Sequence, residues 1–237
     1  MNPINLGLID HRNENLWNDL NKTHIISISV ANYPNYGVYS KGQDSLVQIP
    51  ENDIDIDSFT HELLHILLRQ NEIFFGSRLG NFVSENPILD AFFSDNLIEH
   101  FGNCIEHIKM LPIYLDLGFD KKKFIEDYEE NKCTKSEIKW LNANFKIRNV
   151  YQVAAIDFYI AKYISIQADA KRHVNYPKSL EGLKKIDFRL FDILKSCVEN
   201  WKELPLTKTN PWDEDYGSIA LKFTDSLVQW ADGKTIV

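Results

Sequence analysis

A pair of histidines inside a helical pattern constrains this chain more than any other feature. The segment SFTHELLHILLRQ, residues 58–70, carries apolar residues at the spacing of one face of an amphipathic helix. His61 and His65 are four residues apart within it, so one side of such a helix can direct both imidazoles at a single ion. The segment therefore predicts a helix that contributes two ligands to a metal site.

The glutamate after the first histidine indicates a catalytic role for the pair. On a helix, Glu62 is rotated by about 100° from His61, so it can stand beside the ion and hold a water molecule bound there. Zinc lowers the pKa of such a water to about 7, and a neighbouring carboxylate can then accept its proton and pass it to a leaving group. The pattern predicts a zinc hydrolase with Glu62 as the general base.

Two other interpretations fit the same residues. One is an amphipathic helix whose histidines are incidental. The other is a di-iron helical bundle, because Glu62 and His65 also form a Glu-x-x-His pair. A di-iron site needs a second such pair on another helix, and the sequence contains none.

A third ligand is expected downstream, in DNLIEHFGNCIEHIKM, residues 95–110. This segment contains Asn-x-x-Glu-His twice, one heptad apart. Three assignments remain open: Glu99 with Asn103, Glu106, and His107 with Asn103. We favour His107, oriented by Asn103 from the turn before, because a buried histidine with no charged partner is best explained as a ligand. His100 could then support the site from two turns earlier.

The order of the remaining patterns predicts an α+β fold. Short strands at 24–33, 37–41 and 45–50 come before the motif helix, and nearly everything from residue 88 onward has helical spacing. The predicted helices are 88–111, 120–130, 134–144, 148–170, 178–200 and 216–231. We therefore expect a small antiparallel sheet packed on the motif helix, followed by a mainly helical bundle, in a single domain of residues 1–237. Residues 24–120 would be its metal-site core and 121–237 a helical extension.

Composition excludes several classes of partner. The formal net charge of −8 argues against nucleic acid, which requires a basic surface. No window approaches the apolar length of a membrane span, and the N-terminus does not resemble a signal peptide. The three cysteines are scattered and form no Cys-x-x-Cys pair, which is typical of reduced thiols in a cytoplasmic protein.

At His61-Glu62-Leu63-Leu64-His65 the chain resembles the HExxH zinc metallopeptidases, the zincins. That family places the motif helix beneath an edge strand and follows it with a helix that carries the third ligand, and residues 24–120 have a similar order. The chain departs from the metzincin pattern, since no histidine follows His65 at the required spacing, and it lacks the Asn-Glu that opens the third-ligand helix of thermolysin-like enzymes. No narrower peptidase family is supported.

A second likeness concerns NCIEHIKMLPIYLDLGF, residues 103–119. It looks like a stretch that follows HExxH in small bacterial proteins, where Asn-x-x-x-His precedes a proline and a glycine–aromatic pair. Here those residues are Pro112 and Gly118-Phe119, and the likeness is a second reason for choosing His107.

The resemblance implies a cytoplasmic, zinc-dependent, peptidase-like hydrolase whose substrate is a peptide or protein. An extended substrate could add to the strand at 45–50, and Tyr176 or His173 are candidates for supporting the oxyanion. The rival hypothesis is a zinc-stabilised helical interaction module without catalysis. A catalytic site leaves one coordination position for water, whereas a structural site closes it. The sequence leaves the oligomeric state open.

Overall fold

A computed structural model describes residues 1–171, 176–206 and 215–237, and the described chain divides into two compact units. The first unit contains residues 1–73, 109–128 and 206, and the second contains 74–108, 129–171, 176–205 and 215–237. The single zincin-like domain of residues 1–237, with its metal-site core and helical extension, stays a prediction.

The α+β fold class is confirmed. In the part of the chain that the structure describes, there are ten α-helices and six strands. The helices are α1 (Glu14–Leu20), α2 (Ile56–Gln70), α3 (Phe75–Ser84), α4 (Pro87–Asp90), α5 (Asp95–Asp116), α6 (Lys135–Asn144), α7 (Val153–Ala168), α8 (Pro177–Ile186), α9 (Phe188–Glu203) and α10 (Asp215–Ala231). The strands are β1 (Ile25–Ala31), β2 (Gly37–Lys41), β3 (Asp44–Pro50), β4 (Lys146–Ile147), β5 (Val150–Tyr151) and β6 (Thr235–Ile236). Every helix within the described ranges is too short or too polar to cross a membrane.

The sheet of the first unit is mixed, which corrects part of the prediction. Its order is β1-β3-β2, with β3 antiparallel to β2 as expected but parallel to β1. The connection between β1 and β2 crosses from one edge of the sheet to the other and leaves the centre to β3. A substrate cannot add to residues 45–50 as predicted, because both edges of that strand are already paired.

The motif helix α2 packs its apolar face on this sheet. Ile28, Val47 and Ile49 point from the strands into one buried cluster that also contains residues of α2. The residues from α2 are Phe59, Leu63 and Ile66. Their spacing of four and three residues is the predicted helical periodicity, so α2 must present its histidines on a different face.

Aromatic side chains form the centre of the second unit and hold α5 there. The Phe101 ring stacks between Phe75 and Phe223, with centroid distances of 6.2 and 5.1 Å. The indole of Trp201 contacts Phe75 and donates a 2.7 Å hydrogen bond to the carbonyl of Ile105. This buried bond binds α9 to the turn of α5 that carries the candidate third ligand.

Several predicted helix boundaries are wrong. Residues 74–87, which none of the predicted helices covers, contain α3 and the start of α4. The single helix predicted at 88–111 is divided between α4 and α5. The exposed Pro112 does not end α5, which continues to Asp116. Residues 120–130 contain only a short 3₁₀ turn, Lys121–Lys123.

The helix expected at 148–170 begins only at Val153. Arg148 and Asn149 have left-handed φ angles of 49° and 68°, and they form a two-residue turn between β4 and β5. Two positive φ angles suit the twist of a tight hairpin, and they cannot begin a helix.

Helices α3 and α5 approach closely enough to require glycine. A Cβ atom built on Gly102 would lie 2.8 Å from the Cα of Gly76. We therefore expect Gly102→Ala to reduce the free energy of unfolding by about 1–3 kcal/mol, because both backbones must move apart. Urea unfolding followed by circular dichroism measures this change.

Gly80→Ala is the matched control for that prediction. A Cβ at Gly80 would meet only the Ile98 side chain, at an ordinary 3.5 Å. Alanine also favours the helix by up to about 1 kcal/mol, so this variant should be neutral or more stable. Equal destabilisation by the two variants would show that the helices do not cross at Gly102.

Candidate metal centre

The start of α2 is held by its cap. The Asp55 carboxylate accepts hydrogen bonds from the backbone N–H of Ser58 at 3.2 Å and from its hydroxyl at 2.8 Å. Burial opposes the charge on Asp55, but these bonds and the nearby Lys123 outweigh it and lower its pKa. The Tyr36 hydroxyl accepts a hydrogen bond from the Asp55 N–H at 2.7 Å, so the residue before β2 is joined to the N-cap of α2.

A buried asparagine fixes the next turn of α2. Asn13 is fully buried and its side-chain amide donates to the Thr60 hydroxyl and to the Leu8 carbonyl, each at 2.9 Å. The Thr60 hydroxyl donates in turn to the carbonyl of Ile56. Because Thr60 immediately precedes His61, this network restricts the rotation of the helix at the first candidate ligand.

His61, His65 and His107 form a group that could hold a metal ion. Each offers one ring nitrogen, and the three nitrogens all lie within 4.8 Å of one another. The rings of His61 and His65 are 5.1 Å apart between centroids, with an interplanar angle of 64°. His107 is buried, and the other two are partly buried. Three convergent imidazoles at this spacing can coordinate one ion.

The surroundings of His61 keep its imidazole neutral. Burial, followed by the charge of His65, lowers the pKa of His61 to about 3, while a hydrogen bond with the backbone of Phe124 acts in the opposite direction. The Phe124 ring also lies 4.8 Å from the imidazole between centroids. A neutral imidazole is the form that binds a metal, so protons compete weakly at this position near neutral pH.

Glu62 is buried beside the first histidine. Burial raises the pKa of its carboxyl, His65 lowers it, and Glu126 raises it further. A carboxylate with a raised pKa is a stronger proton acceptor than an exposed one. The position therefore suits proton transfer.

The other candidate ligands on α5 lie outside the three-histidine group. Glu99 is exposed, and Glu106 is buried but does not belong to the group. His100 shares a 2.8 Å hydrogen bond with the hydroxyl of Ser165 on α7. Asn103 is exposed, and its role in orienting His107 stays a prediction. Of the three open assignments, the geometry favours His107.

The proposed oxyanion residues receive no support from the structure. Tyr176 is fully buried, its hydroxyl donates to the Asp169 carboxylate, and it accepts a hydrogen bond from the backbone N–H of Lys132. These bonds give Tyr176 a role in packing the second unit. His173 lies outside the described residues.

Sequence reasoning named Gly118-Phe119 but missed the part that this pair and Tyr114 play in connecting the end of α5 to α2. Gly118 has φ of 89° and closes the helix: its N–H donates to Leu115, and the N–H of Phe119 donates to Tyr114. The Phe119 ring stacks on Tyr114 at 5.0 Å. Tyr114 is thereby positioned to donate a 3.0 Å hydrogen bond to the buried Asp57 of α2. The signal in the sequence was the glycine–aromatic pair, which is a helix stop.

No family model, curated protein or solved structure matches this chain. The resemblance to the HExxH peptidases therefore rests on the motif and stays a prediction.

The donor set fits zinc. Imidazole nitrogens suit zinc well, and three histidines are a known ligand set for catalytic zinc, in which the fourth position holds water. Hard cations such as magnesium and calcium prefer oxygen ligands, which this group lacks. His61, His65 and His107 are the residues that would hold the ion.

Proposed function

We propose that this chain is a zinc-dependent, peptidase-like hydrolase. The observation that carries the proposal is the convergence of three histidine nitrogens within 4.8 Å, with the buried Glu62 next to the partly buried His61 on α2. Three protein ligands leave one position for water, which favours a catalytic site over a closed structural one.

Each residue then has a defined task. His61, His65 and His107 would hold the ion, and a bound zinc would polarise a carbonyl and lower the pKa of water to about 7. Glu62 accepts a proton from the attacking water and delivers it to the departing amine. Its burial keeps bulk solvent from competing for that proton.

Metal content and cleavage together test the proposal. We expect the protein purified without added metal to contain about one zinc per chain by plasma mass spectrometry. Incubation with peptides from a digested proteome should give new termini that a chelator abolishes and zinc restores. Mass spectrometry of the products then defines the cleaved bond.

Two other results would overturn the proposal. A protein without zinc, even after incubation with the metal, would show that the histidines are incidental. One tightly held zinc without cleavage would favour the zinc-stabilised interaction module.

A further inference from the structure

The chain that leaves α5 returns to α2 and contacts the first candidate ligand. Phe124 follows the 3₁₀ turn Lys121–Lys123 and is 2 % exposed. Its ring lies 4.8 Å from the His61 imidazole and 5.1 Å from the Tyr114 ring between centroids. Its backbone also forms a hydrogen bond with the His61 ring. One residue thus meets His61 through both its main chain and its side chain.

The preceding residue contacts the same helix. The ammonium of Lys123 lies 3.6 Å from the Asp55 carboxylate and 3.7 Å from that of Asp57. Asp57 is buried and also accepts the hydrogen bond from Tyr114. Residues 123 and 124 are therefore placed against α2 by a salt bridge, a buried hydrogen bond and ring packing.

A neutral imidazole has one nitrogen that donates and one that accepts, and the partner of the donor decides which is which. The hydrogen bond with the Phe124 backbone raises the pKa of His61, which is the effect of a bond that the ring N–H donates. The Phe124 carbonyl is therefore the acceptor. Ligating histidines commonly donate their second nitrogen in this way, which fixes both tautomer and ring orientation.

We infer that Phe124 is a positioning residue for the metal site: its carbonyl holds one nitrogen of His61, its ring holds the imidazole plane, and the opposite nitrogen is directed at the ion. This inference rests on the proposed zinc site. It adds a residue 63 positions beyond His61 that no part of the motif indicates.

The test compares the zinc affinity of Phe124→Ala and Phe124→Leu with that of the wild-type chain. We expect Phe124→Ala to weaken zinc binding about 10–100-fold, measured by competition with a chromophoric chelator, because the carbonyl loses its fixed position. Phe124→Leu keeps apolar bulk and should restore most of the affinity. Val47→Ala is the control, since Val47 is equally buried in the same unit but belongs to the sheet. It should lower stability without changing zinc affinity.

Histidine ring NMR of the metal-free protein provides a readout that is independent of zinc and of hydrolysis. We expect one His61 tautomer with a slowly exchanging ring N–H in the wild type, and loss of that protection in Phe124→Ala. Unchanged zinc affinity in Phe124→Ala, or a His61 ring that exchanges freely between tautomers in the wild type, would overturn this inference and leave the proposed hydrolase intact. A wild-type protein that binds no zinc would overturn both.

Discussion

His107→Ala is expected to remove zinc from the purified protein. Deleting one of three ligands should weaken zinc binding by more than about 100-fold, the upper range for loss of a residue that only supports a ligand. Zinc per chain, measured by plasma mass spectrometry after gel filtration, should fall close to zero. Isothermal titration of the metal-free protein then gives the loss of affinity directly.

His100→Ala is the matched control. His100 lies on α5 two turns before His107, and its ring is hydrogen-bonded to Ser165 instead of belonging to the three-histidine group. This variant should retain zinc, and circular dichroism should show both variants folded. Full zinc occupancy in His107→Ala would contradict the assignment and would point to the buried Glu106 as the third ligand.

Glu62→Gln is expected to lower the hydrolytic rate by about 10²–10⁴-fold while the zinc content stays the same. Glutamine keeps the shape of the side chain but cannot accept the proton from water. The rate is measured on a peptide that the wild type cleaves, with both proteins loaded with one equivalent of zinc.

Glu99→Gln makes the same chemical change at an exposed site on α5 outside the histidine group, and it should leave the rate unchanged. Undiminished hydrolysis in Glu62→Gln would eliminate Glu62 as the general base. Loss of zinc in that variant would instead give Glu62 a part in metal binding.

The motif helix could be predicted well because its signals are local. Apolar spacing, an acidic start and two histidines four residues apart all lie within one segment, and the structure contains α2 there. The candidate third ligand was harder to predict, because Glu99, Glu106 and His107 share a helix and spacing does not reveal which of its faces is buried. Long-range packing of α5, including the bond from Trp201 to Ile105, decides that point.

Strand order and the contacts of Phe124 could not be predicted from local pattern. Alternation of side chains identifies β1, β2 and β3 but does not encode which strand is central. The pairing that places β3 in the middle joins residues far apart in the chain. The turn at Gly118 was visible in the sequence, but the return of Phe124 to His61 depends on burial and ring packing across 63 residues.

The sequence by itself determined the chemistry available to this protein: two imidazoles and a carboxylate on one helix, with histidines on a later helix, because helical periodicity acts over a few residues. Only the tertiary structure decided which later histidine lies near the pair, which strand occupies the centre of the sheet and which residue packs against His61. Those choices depend on the burial of apolar surface between distant segments, and that energy belongs to the assembled fold and cannot be read from any one stretch of sequence.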